Sequence, residues 1–399
     1  MNFIFFDDKS HDQLLPLTFT RPVCEIRIGI LTIREKWEKM LGASTSTHTK
    51  EYLATKFALV MSDKDDNVFI NGSVCPTAAM IEKVHALKEG EALISKDVLI
   101  AINNGDAKFS FAKFNLKKHT RSISFDEDFI KINHLWEIFA KNAKAILDDF
   151  LLVTAGRKSM PIPKSNKYMN PDYIFIEEGA AIECSVLSAA DGPIYLAADS
   201  EVMEGSLIRG PFVLGEHATL KLGTKIYGGT TIGPHCKVGG EVSNSVITGY
   251  SNKAHDGFLG NSVIGEWCNL GADTNNSNLK NNYSKVQIYN YAGKKYTDTG
   301  LQFCGLIMGD HSKCGINTMF NTGTVVGVSA NIFGAGFPDK HIPSFTWGGV
   351  TDSETFQIDK AIELAERVYE RRGMEFTAAD KKIMNYLFKL KKLKYKRKI

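Results

Sequence analysis

Eight aliphatic residues spaced six apart, Leu196, Val202, Ile208, Leu214, Leu220, Ile226, Ile232 and Val238, leave this chain few folds to choose from. A helix repeats its inner face about every 3.6 residues and a plain strand about every 2, so a period of six belongs to neither. It fits a coil of short strands in which each aliphatic points inward and each following glycine helps the chain round a corner. A second series runs Val246, Phe258, Ile264 and Leu270, with Asn252 as its polar member. A third runs Met308, Cys314, Phe320, Val326 and Ile332. Glycine follows the marker at 215, 233, 239, 265, 271, 309, 315 and 327.

The coil therefore spans residues 170–345, broken by an insertion at 273–304 that reads as a loop on one face. Residues 352–399 follow as helices, with apolar residues at helical spacing in "DSETFQIDKAIELAERVYE" and a turn at Arg372–Gly373. Residues 1–165 look different. Apolar runs such as "NFIFF", "NVFING" and "VLIAI" alternate with helical patterns such as "ILTIREKWEKML", which predicts a small α/β domain.

Charge and cysteine content narrow the class. The net charge of +3 hides an asymmetry: residues 381–399 hold nine Lys or Arg and no acid, leaving residues 1–380 at −6. The tail keeps Ile383, Leu387, Leu390 and Leu393 at helical spacing and reads as a docked helix with a solvated basic face. Nothing supports base-specific recognition of nucleic acid. Seven scattered cysteines without a C-x-x-C pair read as free thiols. No apolar run reaches the roughly 18 residues of a membrane helix, and the N-terminus lacks the pattern of a signal peptide. The expectation is a cytoplasmic protein with no membrane partner.

One stretch carries chemistry. In "KAHDGFLGNSVIGEWCNLGADTNNSN", His255 is followed by Leu259–Gly260, Ile264–Gly265, Asn269–Leu270–Gly271–Ala272 and Asn278. This resembles the acetyltransferase domain of the bifunctional N-acetylglucosamine-1-phosphate uridyltransferase/glucosamine-1-phosphate acetyltransferase family, in a shorter, divergent branch of the Bacteroidetes type. The order of domains matches too. The resemblance implies a Rossmann-like α/β nucleotidyltransferase domain before a left-handed parallel β-helix of hexapeptide repeats, assembled as a homotrimer. It also implies acetyl-CoA as co-substrate and an amino-sugar 1-phosphate as acceptor. Acetyl transfer needs a neutral amine, and an imidazole can remove its proton. His255 would be that base, and Glu241, at an acidic family position, its orienting partner. Asn269 and Asn278 would hold sugar or phosphate oxygens. The backbone N–H of Gly271 or Ala272 would meet the acetyl oxygen. Phe258 stands where the family has tyrosine, keeping the ring and losing the hydroxyl. Leu279 and Ile316 depart from the family's tyrosine and serine.

The other histidines, His217, His235 and His311, lie at unrelated spacings and do not suggest a zinc site. At the N-terminus, "FFDDKSHDQLLPLTFTRPVCEIRIG" replaces the glycine-rich phosphate loop of such nucleotidyltransferases. Thr20–Arg21–Pro22 keep part of the motif, while Val23 stands where the phosphate-binding lysine would be. Without glycines the phosphate cradle must be rebuilt. Arg21, Arg27 and Lys36 are candidates to supply its charge, and Asp7 or Asp8 to hold Mg²⁺ beside a nucleoside triphosphate. The expected function is a transferase of sugar-nucleotide biosynthesis: acetyl transfer at the coil, with nucleotidyl transfer forming UDP-N-acetylglucosamine at the N-terminal domain. Two alternatives stay open. One is a sugar-1-phosphate nucleotidyltransferase, such as a thymidylyltransferase, whose coil serves only assembly. The other is a non-catalytic trimeric scaffold that binds sugar nucleotides.

Overall fold

The computed structural model describes residues 1–64, 66–104 and 121–395. The chain divides into two compact units, and it changes unit several times near its start. Met1–Leu14, Arg21–Ile26 and Leu31–Asn133 form the first. Leu15–Thr20, Arg27–Ile30 and His134–Ile399 form the second.

The first unit is built on a six-stranded sheet. Its strands are β1 (Asn2–Phe6), β2 (Thr45–His48), β3 (Asn67–Asn71), β4 (Glu91–Ser95), β5 (Val98–Asn103) and β6 (Arg121–Ser124), in the order β2-β1-β3-β5-β4-β6. β1 is parallel to both β2 and β3, and its run Phe3–Phe6 is buried, as a strand covered on both faces should be. Helices α1 (Ser10–Gln13), α2 (Ile33–Leu41) and α3 (Ala78–His85) complete the unit. α2 starts where sequence chemistry dictates. Thr32 and Glu35 form a reciprocal capping box, and Gly42 ends the helix in the left-handed conformation. Its Trp37 is fully buried and donates from Nε1 to the Val74 carbonyl at 2.7 Å.

The second unit is a left-handed parallel β-helix of about 10 turns ending in helices. Each coil but the last contributes a strand to each of three faces. Face A begins at Lys167–Met169, holds six strands to Phe258–Gly260, and is followed by the pair Asn275–Asn276 and Met319–Phe320. Face B holds nine strands from Ile174–Ile176 to His341–Ile342. Face C holds nine parallel strands from Ala181–Ile182 to Thr346–Gly349, and Ser353–Thr355 adds a tenth, antiparallel one at its end. The first and third hexad series line the interior as expected, since Leu196, Val202, Ile208, Leu214 and their successors are buried in one continuous core.

The second series needs correction. The inward residues are Ile247, Lys253 and Leu259, which oppose Ile232, Val238 and Val242. Val246, Asn252 and Phe258 are one position out of register. The cause is corner length. Gly240, Asn244 and Asn261 take left-handed backbone conformations there, and the corners they make are shorter than those of the first series. Ile264 and Leu270 rejoin the expected inward set.

The corner between faces B and C holds side chains that the spacing did not group. Asp199, His217, His235, Tyr250, Trp267 and His311 all adopt positive φ there, one per coil. Their rings stack: His217 on His235 at 4.9 Å, His235 on Tyr250 at 4.7 Å, and Tyr250 on Trp267 at 4.4 Å.

Helices α4 (Leu135–Ala140) and α5 (Asn142–Thr154) belong to this unit, as do α6 (Ile358–Glu370) and α7 (Ala378–Tyr395). Tyr369 of α6 stacks on Trp267 at 3.9 Å and continues the column of rings. Ile383 and Leu387 of α7 are buried, as its stripe predicts. The side chain of Leu393 and the residues after Tyr395 lie outside the described set. The insertion leaves after Asn276 and returns at Gly305, with a hairpin of Gln287–Asn290 and Lys295–Asp298. Tyr289 of that hairpin stacks on His341 at 3.6 Å. Among the described residues no helix is long and apolar enough to cross a membrane.

Candidate functional site

His255 sits at the corner where face C turns into face A, between the strands Asn252–Lys253 and Phe258–Gly260. Its side chain is exposed. The corner is held from inside by Lys253. This lysine is 2% exposed, and its Nζ donates to the carbonyls of Gly239 at 3.1 Å and His255 at 2.7 Å. Burial pulls the Lys253 ammonium down to about 8, against the opposing pull of Asp256 and Asp273.

The coils above and below bring most of the sequence candidates to this edge. Glu241 begins face A one coil earlier, and its backbone N–H donates to the Gly257 carbonyl at 3.3 Å. Among the described residues neither the His255 ring nor the Glu241 carboxylate has a hydrogen-bond partner. The expected bond between them is therefore absent from this structure. Such bonds are often long in ligand-free sites and tighten on binding.

Gly271 and Ala272 lie at the same corner one coil later, where the Asp273 N–H donates to the Asp256 carbonyl at 3.1 Å. Gly271 is glycine because the next coil is so close: a Cβ there would stand 2.4 Å from the Gly315 carbonyl carbon. Its N–H is already spent on the Cys314 carbonyl at 3.1 Å. The Ala272 N–H has no acceptor among the described residues, so of the two it is the amide available to an oxyanion.

Asn269 is exposed on face C, opposite Asn252. Phe258 and Asn278 meet over Gly260, where an added Cβ would strike the Phe258 ring at 2.5 Å and Asn278 Nδ2 at 2.7 Å. Asn278 Nδ2 donates to Asn261 Oδ1 at 2.8 Å, and the Phe258 N–H donates to Asn275 Oδ1 at 2.8 Å. Sequence reasoning missed Lys253. The available signal was a lysine next to the expected inward position, which the out-of-register series hid.

The N-terminal candidates are scattered. Asp7 and Asp8 follow β1 at its carboxyl end. The chain passes from β1 to β2 on one side and then to β3 on the other. In open α/β sheets such a switch point opens the crevice where ligands bind. Asp7 accepts from the Val23 N–H at 2.9 Å and Thr49 Oγ1 at 2.5 Å, and burial raises its carboxyl above the usual range. Burial also pushes Asp8 up, but Lys131, Ser10 and Asn71 outweigh it and hold Asp8 below the ordinary value.

Lys131 is a second residue that sequence reasoning did not find. Its Nζ lies 3.0 Å from Asp8 Oδ2, 3.0 Å from Ser10 Oγ, 2.7 Å from Ser73 Oγ and 2.8 Å from Asn133 Oδ1. Arg21 and Lys36 are buried within the first unit. Arg27 belongs to the second unit, where its Nε donates to the Thr248 carbonyl at 3.2 Å and its Nη1 to that of Ile30.

Mg²⁺ needs open oxygen ligands in near-octahedral geometry at about 2.0–2.1 Å. Both Asp8 oxygens are engaged: Oδ1 by Ser10, and Oδ2 by Lys131 and Asn71. Asp7 is engaged as well. Among the described residues no group of three or more His, Cys, Asp or Glu is placed to hold a metal ion. With Lys131 among them, the side chains around Asp7 and Asp8 do not fit Mg²⁺.

Residues 3–158 match the family model described as sugar nucleotidyl transferase. A search among curated proteins finds no match. Similar solved structures include the polySia-specific acetyltransferase NeuO, 14% identical with a TM-score of 0.26, over 46% of this chain and 86% of that one. Another is the Arabidopsis UDP-N-acetylglucosamine acyltransferase, 14% identical with a TM-score of 0.20, over 55% of this chain and 78% of that one. A third is a mutant of AntD, an N-acyltransferase from Bacillus cereus, in complex with dTDP and coenzyme A. It is 9% identical with a TM-score of 0.20, over 52% of this chain and 86% of that one.

Proposed function

We propose that this chain transfers an acetyl group from acetyl-CoA to the amine of an amino-sugar 1-phosphate of the glucosamine 1-phosphate kind. The reaction takes place at the edge between faces C and A. The observation that carries the reading is an exposed His255 and the unspent Ala272 N–H at one corner on successive coils, with the exposed Asn269 on the adjoining face C.

The amine attacks the thioester carbonyl, so a C–N bond forms as the C–S bond breaks. The His255 imidazole takes the amine proton and can return it to the departing thiolate. The negative charge on the carbonyl oxygen needs a donor already in place, which the Ala272 N–H supplies. Asn269 and the Phe258–Asn278 pair flank the base on faces C and A, where they would bind the sugar phosphate and acetyl-CoA. Glu241, one coil below, orients the imidazole once the site is filled.

The N-terminal unit, nearly all of which lies within the span 3–158 matched to sugar nucleotidyl transferases, recognises the nucleotide-linked form of the same sugar. A second reading, favoured by that match, has it forming this nucleotide sugar from UTP, and predicts pyrophosphate release.

The test of the main reading is thiol release from acetyl-CoA with glucosamine 1-phosphate, in the native chain and in His255→Ala. A loss of about 10²-fold or more is expected, the scale of a missing general base. Equal rates in the two proteins would remove His255 from the mechanism. No release from the native chain would remove this donor–acceptor pair.

A further inference from the structure

Four oxygens converge on one point in the N-terminal unit, and they come from three stretches of the chain: Asp8 and Ser10 after β1, Ser73 after β3, and Asn133. The set is all oxygen, which is what hard cations such as Mg²⁺ select. Both hydroxyls are turned to suit a cation. Ser73 donates its hydrogen to Asn71 Oδ1 at 2.7 Å, and Ser10 donates to Asp8 Oδ1. Their lone pairs are left toward the centre. At that centre is the Lys131 ammonium. It has three N–H groups and four oxygens within 3.0 Å, so the oxygens surround it as they would an ion.

The backbone delivers it there. Val74 bridges Lys131 in antiparallel fashion, the Ile132 N–H donates to the Ser73 carbonyl at 2.9 Å, and the Cys75 N–H donates to the Ile130 carbonyl at 2.9 Å. The Lys131 side chain is only 12% exposed.

We propose that Lys131 takes the place of a divalent cation in this unit, which therefore binds a nucleoside diphosphate-sugar without metal and does not process a triphosphate. The charges agree. The ammonium is balanced by Asp8, so the cluster adds no net positive charge of the size that a metal lends to a triphosphate. A pyrophosphate diester carries less negative charge and asks for less. The ligand class rests on the reading of this unit as a nucleotide-sugar site. The stand-in itself rests on the four contacts.

The experiment uses the full chain and two readouts. The first is Mn²⁺ binding followed by electron paramagnetic resonance, in the native protein, Asp8→Asn, Lys131→Ala, and Lys131→Ala combined with Asp8→Asn. The expected pattern is no site in the native chain, one site in Lys131→Ala, and its loss in the double variant. A native site that Asp8→Asn abolishes overturns the proposal. So does a Lys131→Ala protein, folded by circular dichroism, that still takes no Mn²⁺. Lys131→Met, which keeps the side-chain length without its charge, checks that the fold survives loss of the ion pair.

The second readout is calorimetric binding of UDP-N-acetylglucosamine with EDTA or with excess Mg²⁺. Affinities that agree within about threefold, well under the tenfold that 1.4 kcal/mol makes, are expected. Binding that needs Mg²⁺ overturns metal independence. No binding under either condition overturns the nucleotide-sugar reading of the unit, while the Mn²⁺ result still decides the role of Lys131.

Discussion

Lys253 stands where neighbouring coils put an aliphatic residue, opposite Val238, and it is 2% exposed. A buried ammonium is costly unless it is well partnered. This one has the carbonyls of Gly239 and His255, and burial still pulls it from an ordinary 10.5 to about 8. The sign of the pH effect follows. Below pH 8 both folded and unfolded chains hold the proton, and the folded state bears the full desolvation cost. Between about 8 and 10.5 the unfolded chain keeps a proton that the folded chain has released, so stability rises with pH. Denaturant unfolding of the β-helix unit should therefore show native stability rising across that window relative to Lys253→Met, by up to about 3 kcal/mol. A difference that stays flat or falls would mean that Lys253 titrates normally. The same lysine fixes the carbonyl of His255, the residue proposed as base.

At the scale of elements, the column of rings between faces B and C is what α6 docks on. Tyr369 is 6% exposed, stacks on Trp267 at 3.9 Å and meets Phe376 edge-on at 5.1 Å. Arg372, just past the helix, donates from Nη2 to the His235 carbonyl at 3.3 Å. Truncating a buried aromatic of this kind costs about 3 to 5 kcal/mol. Most of that would fall on the docking of α6 and α7, because the coils keep their own core. Tyr369→Ala should thus speed proteolytic cutting between residues 350 and 357 and release the helices, while the β-helix keeps its melting transition. An unchanged cleavage rate would show that the helices are held elsewhere. The hexad period made the coil itself legible, because an inward aliphatic every sixth residue is imposed by the three-faced geometry. The ring column was not legible. Its members are separated by unequal intervals, since coils differ in corner length and one carries the insertion. The same unequal corners displaced the Val246, Asn252 and Phe258 series by one residue and concealed Lys253. The stretch from His255 to Asn278 was found by its local pattern, which does not depend on counting coils.

For the whole molecule, the segments Leu15–Thr20 and Arg27–Ile30 matter most, because they precede the first unit's remaining strands yet complete the second. Arg27 looked like a phosphate ligand in sequence because a cation near the chain start fits that role. Nothing local announced the Thr248 carbonyl it binds more than two hundred residues away. The Lys131 cluster was illegible for the same reason, being assembled from distant segments. Around Arg27, the Gly29 N–H donates to Asn142 Oδ1 at 2.7 Å, the Ile30 N–H to Asp149 Oδ2 at 2.7 Å, and Thr231 Oγ1 to the Gly29 carbonyl at 2.9 Å. Asn142, Asp149 and Thr231 are all buried. Gly29 cannot be replaced, having φ of +76° and room for no Cβ: one would lie 2.4 Å from Asp149 Oδ2. Each buried polar group left without its partner costs about 1–3 kcal/mol. A fragment of residues 134–399 should therefore melt below the β-helix transition of the full chain. Adding a peptide of residues 15–30 should raise its melting temperature in proportion to occupancy, as any ligand of the folded state does. The same peptide carrying Gly29→Val should have no effect. If the fragment melts with the full chain, or if the two peptides act alike, the segment is a passenger and the β-helix folds without it.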